Sequence, residues 1–156
     1  MKERLERKTH VIMLLLGLLN VAMLPLSRLP IAEATAQAVG CPLFGLGLFL
    51  NLLSLLALKR GFGGEIEPVT ELVAGGIYAR LRHPMYVSFA IAMLGLDLLL
   101  RSILGILFTF FIFLPSMVWR ARLEEQALPR RFGETWKDYA NSVPSLLFWD
   151  LRRKVG

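Results

Sequence analysis

Val73–Tyr86 reads VAGGIYARLRHPMY, and its setting decides the fold. The stretch is polar and basic and holds one of the chain's two histidines, yet it runs with no linker into the apolar block Met85–Leu100. A second polar block, Trp119–Tyr139 (WRARLEEQALPRRFGETWKDY), leaves the apolar block Ser102–Trp119 just as abruptly. Only a couple of residues join these two apolar blocks, so the spacing predicts a tight antiparallel hairpin. That geometry returns Trp119 and Arg120 to the membrane side that holds His83 and Tyr86.

Two further apolar blocks precede the key stretch. Val11–Ser27 is about 17 residues long, the lower limit for a span, and Ala38–Leu58 is about 21. The expected architecture is an all-α integral membrane bundle of about four transmembrane helices. The last two form the hairpin, and a charged, soluble-looking helical segment follows from Arg120. The whole chain, residues 1–156, reads as a single domain.

Composition points the same way. Fifty-five per cent of the residues are hydrophobic, and they come in blocks, which assigns the chain to the membrane class. The net charge of +6 raises nucleic acid as a partner, but the basic residues flank apolar blocks, so no nucleic acid is expected. With the N-terminus, the Lys59–Arg82 loop and the C-terminal tail on one side, only Arg28 and Arg101 lie opposite. The positive-inside rule then makes both termini cytoplasmic. The charged leader Met1–His10 is read as the approach to a retained helix, because no cleavage pattern follows it.

Single residues carry smaller expectations. Asn20 should make an interhelical hydrogen bond, and Gly40, Gly45 and Gly47 should let a neighbouring helix approach closely. Cys41, the one cysteine, excludes an intrachain disulfide and reads as a small packing residue. Asp97 and Arg101, four apart, should pair. A break is expected at Gly105, a kink at Pro115 and a helix end at Phe132–Gly133. GFGG (61–64) reads as a turn and EIEPVT (65–70) as an extended link. Trp136, Tyr139, Leu147, Phe148 and Trp149 read as interfacial anchors.

At one membrane face this arrangement gathers Tyr78, Arg82, His83, Tyr86, Arg120, Glu124 and Glu125. Two histidines far apart and a lone cysteine give no metal site. Arg120 and Glu124 are four apart and can simply pair. The same set also suits a zwitterionic or cationic cofactor. Aromatic faces hold a cation, a carboxylate holds an ammonium, and a helix start holds a carboxylate.

Leu72–Tyr86 resembles the L-V-x-x-G-(I/V)-Y-x-x-x-R-H-P-x-Y signature of the isoprenylcysteine carboxyl methyltransferase family, which includes phospholipid methyltransferases. Glu124–Tyr139 is similar to its second signature, E-E-x-x-L-x-x-x-F-G-x-x-Y-x-x-Y, with Trp136 standing where tyrosine is usual. The two occur in the family's order, and the resemblance covers about residues 69–144. It implies a membrane-embedded methyltransferase that uses S-adenosylmethionine without a Rossmann domain. It further implies that Leu72, Val73, Tyr78, His83, Pro84, Met85 and Tyr86 line the cofactor pocket, that Glu124 contacts the cofactor, and that Arg120 orients a lipophilic or lipid-modified substrate. The acceptor atom is left open among oxygen, nitrogen and sulfur, as is the choice between Glu124 and Glu125. Two alternatives stand beside this reading: an NADPH-dependent reductase of the sterol-reductase type, and a non-enzymatic membrane adaptor.

Overall fold

The computed structural model describes residues 2–61 and 72–146, with side chains for 11–58 and 72–146. The expected turn at 62–64, the link at 65–70 and the anchors Leu147, Phe148 and Trp149 lie outside the described residues. Every regular element described is helical: α1 (Lys2–Met23), α2 (Glu33–Gly61), α3 (Pro84–Leu99), α4 (Ile103–Phe108) and α5 (Leu114–Ser142). Short 3₁₀ turns cover Leu24–Leu26 and Gly76–Ala79, and a π turn covers Thr109–Phe113.

Two helical stretches are long and apolar enough to cross a membrane, Glu33–Leu58 and Ile103–Ser142. Val11–Leu26 and Pro84–Leu99 are shorter apolar helices. The most apolar window of the first stretch is only 11% buried. Its leucines and phenylalanines face outward, Leu48, Phe49 and Leu52 among them. The core helix of a water-soluble protein hides such a face, whereas a bilayer accepts it.

The described residues pack as two compact units, one drawn from 1–47 with 90–120 and the other from 48–89 with 121–156. In the first unit α2 and α3 meet through glycine. A Cβ built on Gly40 would stand 2.6 Å from the backbone nitrogen of Leu99, and one on Gly47 or Gly95 would overlap the backbone of the opposite helix. Gly45 faces open space, so two of the three expected glycines serve the contact.

A polar knot ties α1 to α4 and the π turn. Asn20, fully buried, donates to the Gly105 carbonyl at 3.2 Å and to Thr109 Oγ1 at 3.0 Å, the expected interhelical bond. Thr109 in turn donates to Asp97 at 2.7 Å.

Several expectations are corrected here. Asp97 does not pair with Arg101, whose guanidinium donates instead to the Leu29 carbonyl. Arg101 adopts a left-handed backbone (φ 58) in the turn between α3 and α4, and that turn carries its side chain to the loop after α1. Gly105 does not break the helix: it lies buried inside α4, where Asp97 packs against its Cα. The irregularity falls in the π turn just before Pro115, whose ring cannot accept a regular preceding turn. Cys41 is exposed rather than packed.

In the second unit the later part of α2 packs beside the start of α3, with Asn51 donating to Ser88 Oγ at 3.2 Å. Gly76 begins the 3₁₀ turn with φ 61, a backbone that side-chain-bearing residues rarely adopt. Pro84 opens α3, where its missing N–H costs nothing, and His83 precedes it as expected. The apolar run ends at Trp119, and α5 continues as a polar helix. A kink falls at Gly133 (φ 55, ψ −128), and helical turns resume to Ser142.

Candidate active site

The site lies in the second unit and is built by four pieces of chain: the 72–83 segment, the start of α3, the polar part of α5 and the residues after it. Trp136, Tyr139 and Val143 form a small buried core, with Leu72, Leu128, Phe132 and Ala140 packed around it. This corrects the reading of Trp136 and Tyr139 as interfacial anchors. The kink at Gly133 lets the last turns of α5 cover Leu72 instead of spreading along a bilayer. Tyr139 donates its hydroxyl to the Tyr78 carbonyl at 2.7 Å, and the Arg82 N–H donates to the Pro144 carbonyl at 3.0 Å. The 72–83 segment is thereby held at Tyr78 and Arg82 to α5 and to the residues after it.

Four charged groups converge above this core. Glu125, 16% exposed, receives three donors on the same oxygen, Oε1: Arg82 at 3.0 Å, His83 Nε2 at 3.1 Å and the Ser145 hydroxyl. His83 Nδ1 lies 3.5 Å from Glu124 Oε2, and Tyr86 donates its hydroxyl to Glu124 Oε1. The rings of His83 and Tyr86 stack with centroids 5.5 Å apart. The Arg82 guanidinium sits 5.9 Å from the Trp136 ring centre.

Both ring nitrogens of His83 face carboxylate oxygens, and a carboxylate only accepts, so the geometry favours the doubly protonated imidazolium. Burial opposes that charge. Hydrogen bonds to Glu124 and Glu125, with their negative charge, outweigh it and hold the imidazole above its ordinary 6.5. Glu125 moves the other way: burial disfavours its charge, but His83, Ser145 and the Arg82 charge hold it below the usual carboxylate range. Burial, reinforced by the Glu124 charge, pushes Tyr78 up to about 12. Burial does the same for Tyr139, to about 12. Both phenols therefore stay neutral, and the Tyr139 hydroxyl acts as a donor.

The expected site residues divide by position. His83, Tyr86 and Glu124 come together directly. Tyr78 is half-buried beside them and feels the Glu124 charge. Pro84 is buried at the start of α3, and Met85 and Val73 are half-buried. Leu72 packs on the Trp136–Tyr139 core. Arg120 is buried on α5, one turn before Glu124. Ser145 was not expected at all, because nothing marks a serine twenty residues beyond Glu125 as its partner. Arg82 Nε is buried and finds no hydrogen-bond acceptor among the described residues.

Comparison with known proteins fixes the family. The model of the phospholipid methyltransferase family matches residues 35–135, well over half of the chain. The chain belongs to that family. Like it in sequence is protein-S-isoprenylcysteine O-methyltransferase of Schizosaccharomyces pombe, 38% identical over 104 residues, covering 64% of this chain and 44% of the relative. The enzyme of the same name from Saccharomyces cerevisiae is 27% identical, covering 72% of this chain and 49% of the relative. Protein-S-isoprenylcysteine O-methyltransferase B of Arabidopsis thaliana is 31% identical, covering 68% and 56%. This phospholipid methyltransferase family member thus spans about half the length of the curated relatives it matches. No solved structure matches significantly.

Proposed function

We propose that the chain is an integral-membrane methyltransferase that takes its methyl group from S-adenosylmethionine and delivers it to a lipophilic acceptor. One observation carries the reading. Glu124 keeps 36% of its side chain exposed while one carboxylate oxygen receives the Tyr86 hydroxyl and the other lies 3.5 Å from His83 Nδ1, so a partly exposed carboxylate is fixed at the edge of an aromatic, charged cluster. The family's relatives, named as isoprenylcysteine O-methyltransferases, supply the direction.

The residues present suit the cofactor. Glu124 is an acceptor for its ammonium, and the stacked His83 and Tyr86 rings offer faces to a cation. The buried Nε of Arg82 is a donor with no acceptor among the described residues, the kind of group a carboxylate would satisfy. When bound, S-adenosylmethionine supplies a methyl group on a positively charged sulfur. The chain's own residues then position and exclude water, the contributions that an in-line displacement most needs. Arg120 is proposed to orient the acceptor, with a guanidinium suited to an anionic group. A lipid-modified cysteine carboxylate, as the relatives' names suggest, is one such group.

We also infer four membrane spans, with α3 and α4–α5 as a tight hairpin and both termini cytoplasmic. The short connection between α3 and α4 and the charge distribution support this.

The test is calorimetric titration of S-adenosylhomocysteine into detergent-solubilised protein, with Glu124→Ala and His83→Ala alongside. Both variants should lose at least roughly tenfold in affinity while remaining folded. Wild-type affinity in both would remove the site assignment, and no binding by folded wild type would remove the methyltransferase reading.

A further inference from the structure

Glu125 Oε1 is an unusual oxygen, because Arg82, His83 and Ser145 all donate to it. An arginine left alone with a carboxylate prefers the two-pronged fork, which occupies both oxygens. Three donors on one oxygen instead fix how the carboxylate is turned. The Ser145 hydroxyl is the donor that comes from outside the 72–83 segment. Ser145 is fully buried, and the neighbouring Pro144 carbonyl already receives the Arg82 N–H. The residues after α5 thus grip both the backbone of Arg82 and the side chain that Arg82 pairs with.

We infer that Ser145 is a positioning residue of the proposed cofactor site: with Arg82 it fixes the Glu125 oxygen that holds His83 Nε2, and so sets the ring against which Glu124 and Tyr86 are arranged. The inference rests on the reading of this cluster as the cofactor site. Without the hydroxyl, Glu125 turns toward the Arg82 fork and His83 Nε2 loses its acceptor. Burial, the largest influence on His83 and one that disfavours its charge, then gains ground. The groups facing His83 are Arg82 beside it, Tyr86 from α3, Glu124 and Glu125 from α5, and Tyr78 through its interaction with Glu124.

The chain's two histidines make this measurable. In a His10→Gln background, isotope-labelled histidine gives a single ring signal, whose titration is followed by NMR in detergent. Ser145→Ala should lower the His83 midpoint by about one pH unit, and Ser145→Thr, which keeps the hydroxyl, should restore it. In parallel, Ser145→Ala should weaken S-adenosylhomocysteine binding about tenfold and Ser145→Thr should recover it. A serine that merely supports the fold would lower the melting temperature and leave the midpoint unmoved. An unmoved midpoint in Ser145→Ala overturns the inference. Failure of wild type to bind S-adenosylhomocysteine overturns the cofactor reading, and with it the role in cofactor positioning, while the midpoint separately reports whether Ser145 sets His83.

Discussion

Glu124 and Glu125 are adjacent in sequence and opposite in circumstance. Glu125 is engaged on one oxygen by Arg82, His83 and Ser145 and is 16% exposed, while Glu124, bound by Tyr86 and close to His83, keeps 36% of its side chain exposed. The titrations of His83 and Glu125 bound a window of stability. His83 has a raised folded pKa, so its contribution is complete below its ordinary 6.5 and disappears as pH rises through the folded value. Glu125 has a lowered folded pKa, so its contribution is complete above its ordinary 4.5 and disappears as pH falls through the folded value. Melting temperature in detergent, scanned against pH, should therefore plateau between these limits. His83→Gln should flatten the alkaline fall and Glu125→Gln the acid one. Tyr139→Phe, which deletes the hydroxyl on the Tyr78 carbonyl, should cost about 1 kcal/mol in denaturant or thermal unfolding. The sequence brings His83, Tyr86 and the carboxylate pair to one place. It does not choose between the carboxylates, because successive helical positions point about 100° apart and the helix's rotation is set by its packing.

At the scale of the element, the glycines in this chain have separate duties. Gly47 lets α2 and α3 touch backbone to backbone, so Gly47→Val should destabilise the protein by about 1–3 kcal/mol, read as a fall in melting temperature. Gly133 has open space where a side chain would go, yet its φ of 55 with ψ −128 strains any other residue. Gly133→Ala should therefore cost about 1–3 kcal/mol through backbone conformation alone. Apolar blocks and breakers made the helices legible from sequence, and Gly133 was legible as a stop. The resumption of α5 after it was not. Trp136, Tyr139 and Val143 share a helical face whether that face meets lipid or a protein core. The deciding contact, Leu72, lies more than sixty residues earlier in the chain. Asp97 and Arg101 misled for a related reason. Helical spacing permits the pair, but the turn at Arg101 swings its side chain away to Leu29.

For the whole molecule, the proposed topology makes a direct prediction. In a Cys41→Ser background, Ala32→Cys and Lys137→Cys should react with membrane-impermeant thiol reagents from opposite sides of sealed vesicles. Labelling of both from one side would remove the four-span arrangement. The polar knot around Asn20 also bears on how the chain is made. Asn20 sits in the first apolar helix, and the groups that accept from its amide nitrogen, Gly105 and Thr109, are synthesised 85 and 89 residues later. Under the proposed topology, α1 meets the bilayer before its Asn20 amide N–H has these acceptors, and only the arrival of α4 and the π turn supplies them. On that topology the first helix stays provisional through most of translation, and its commitment to the membrane is a late event in the life of the nascent chain.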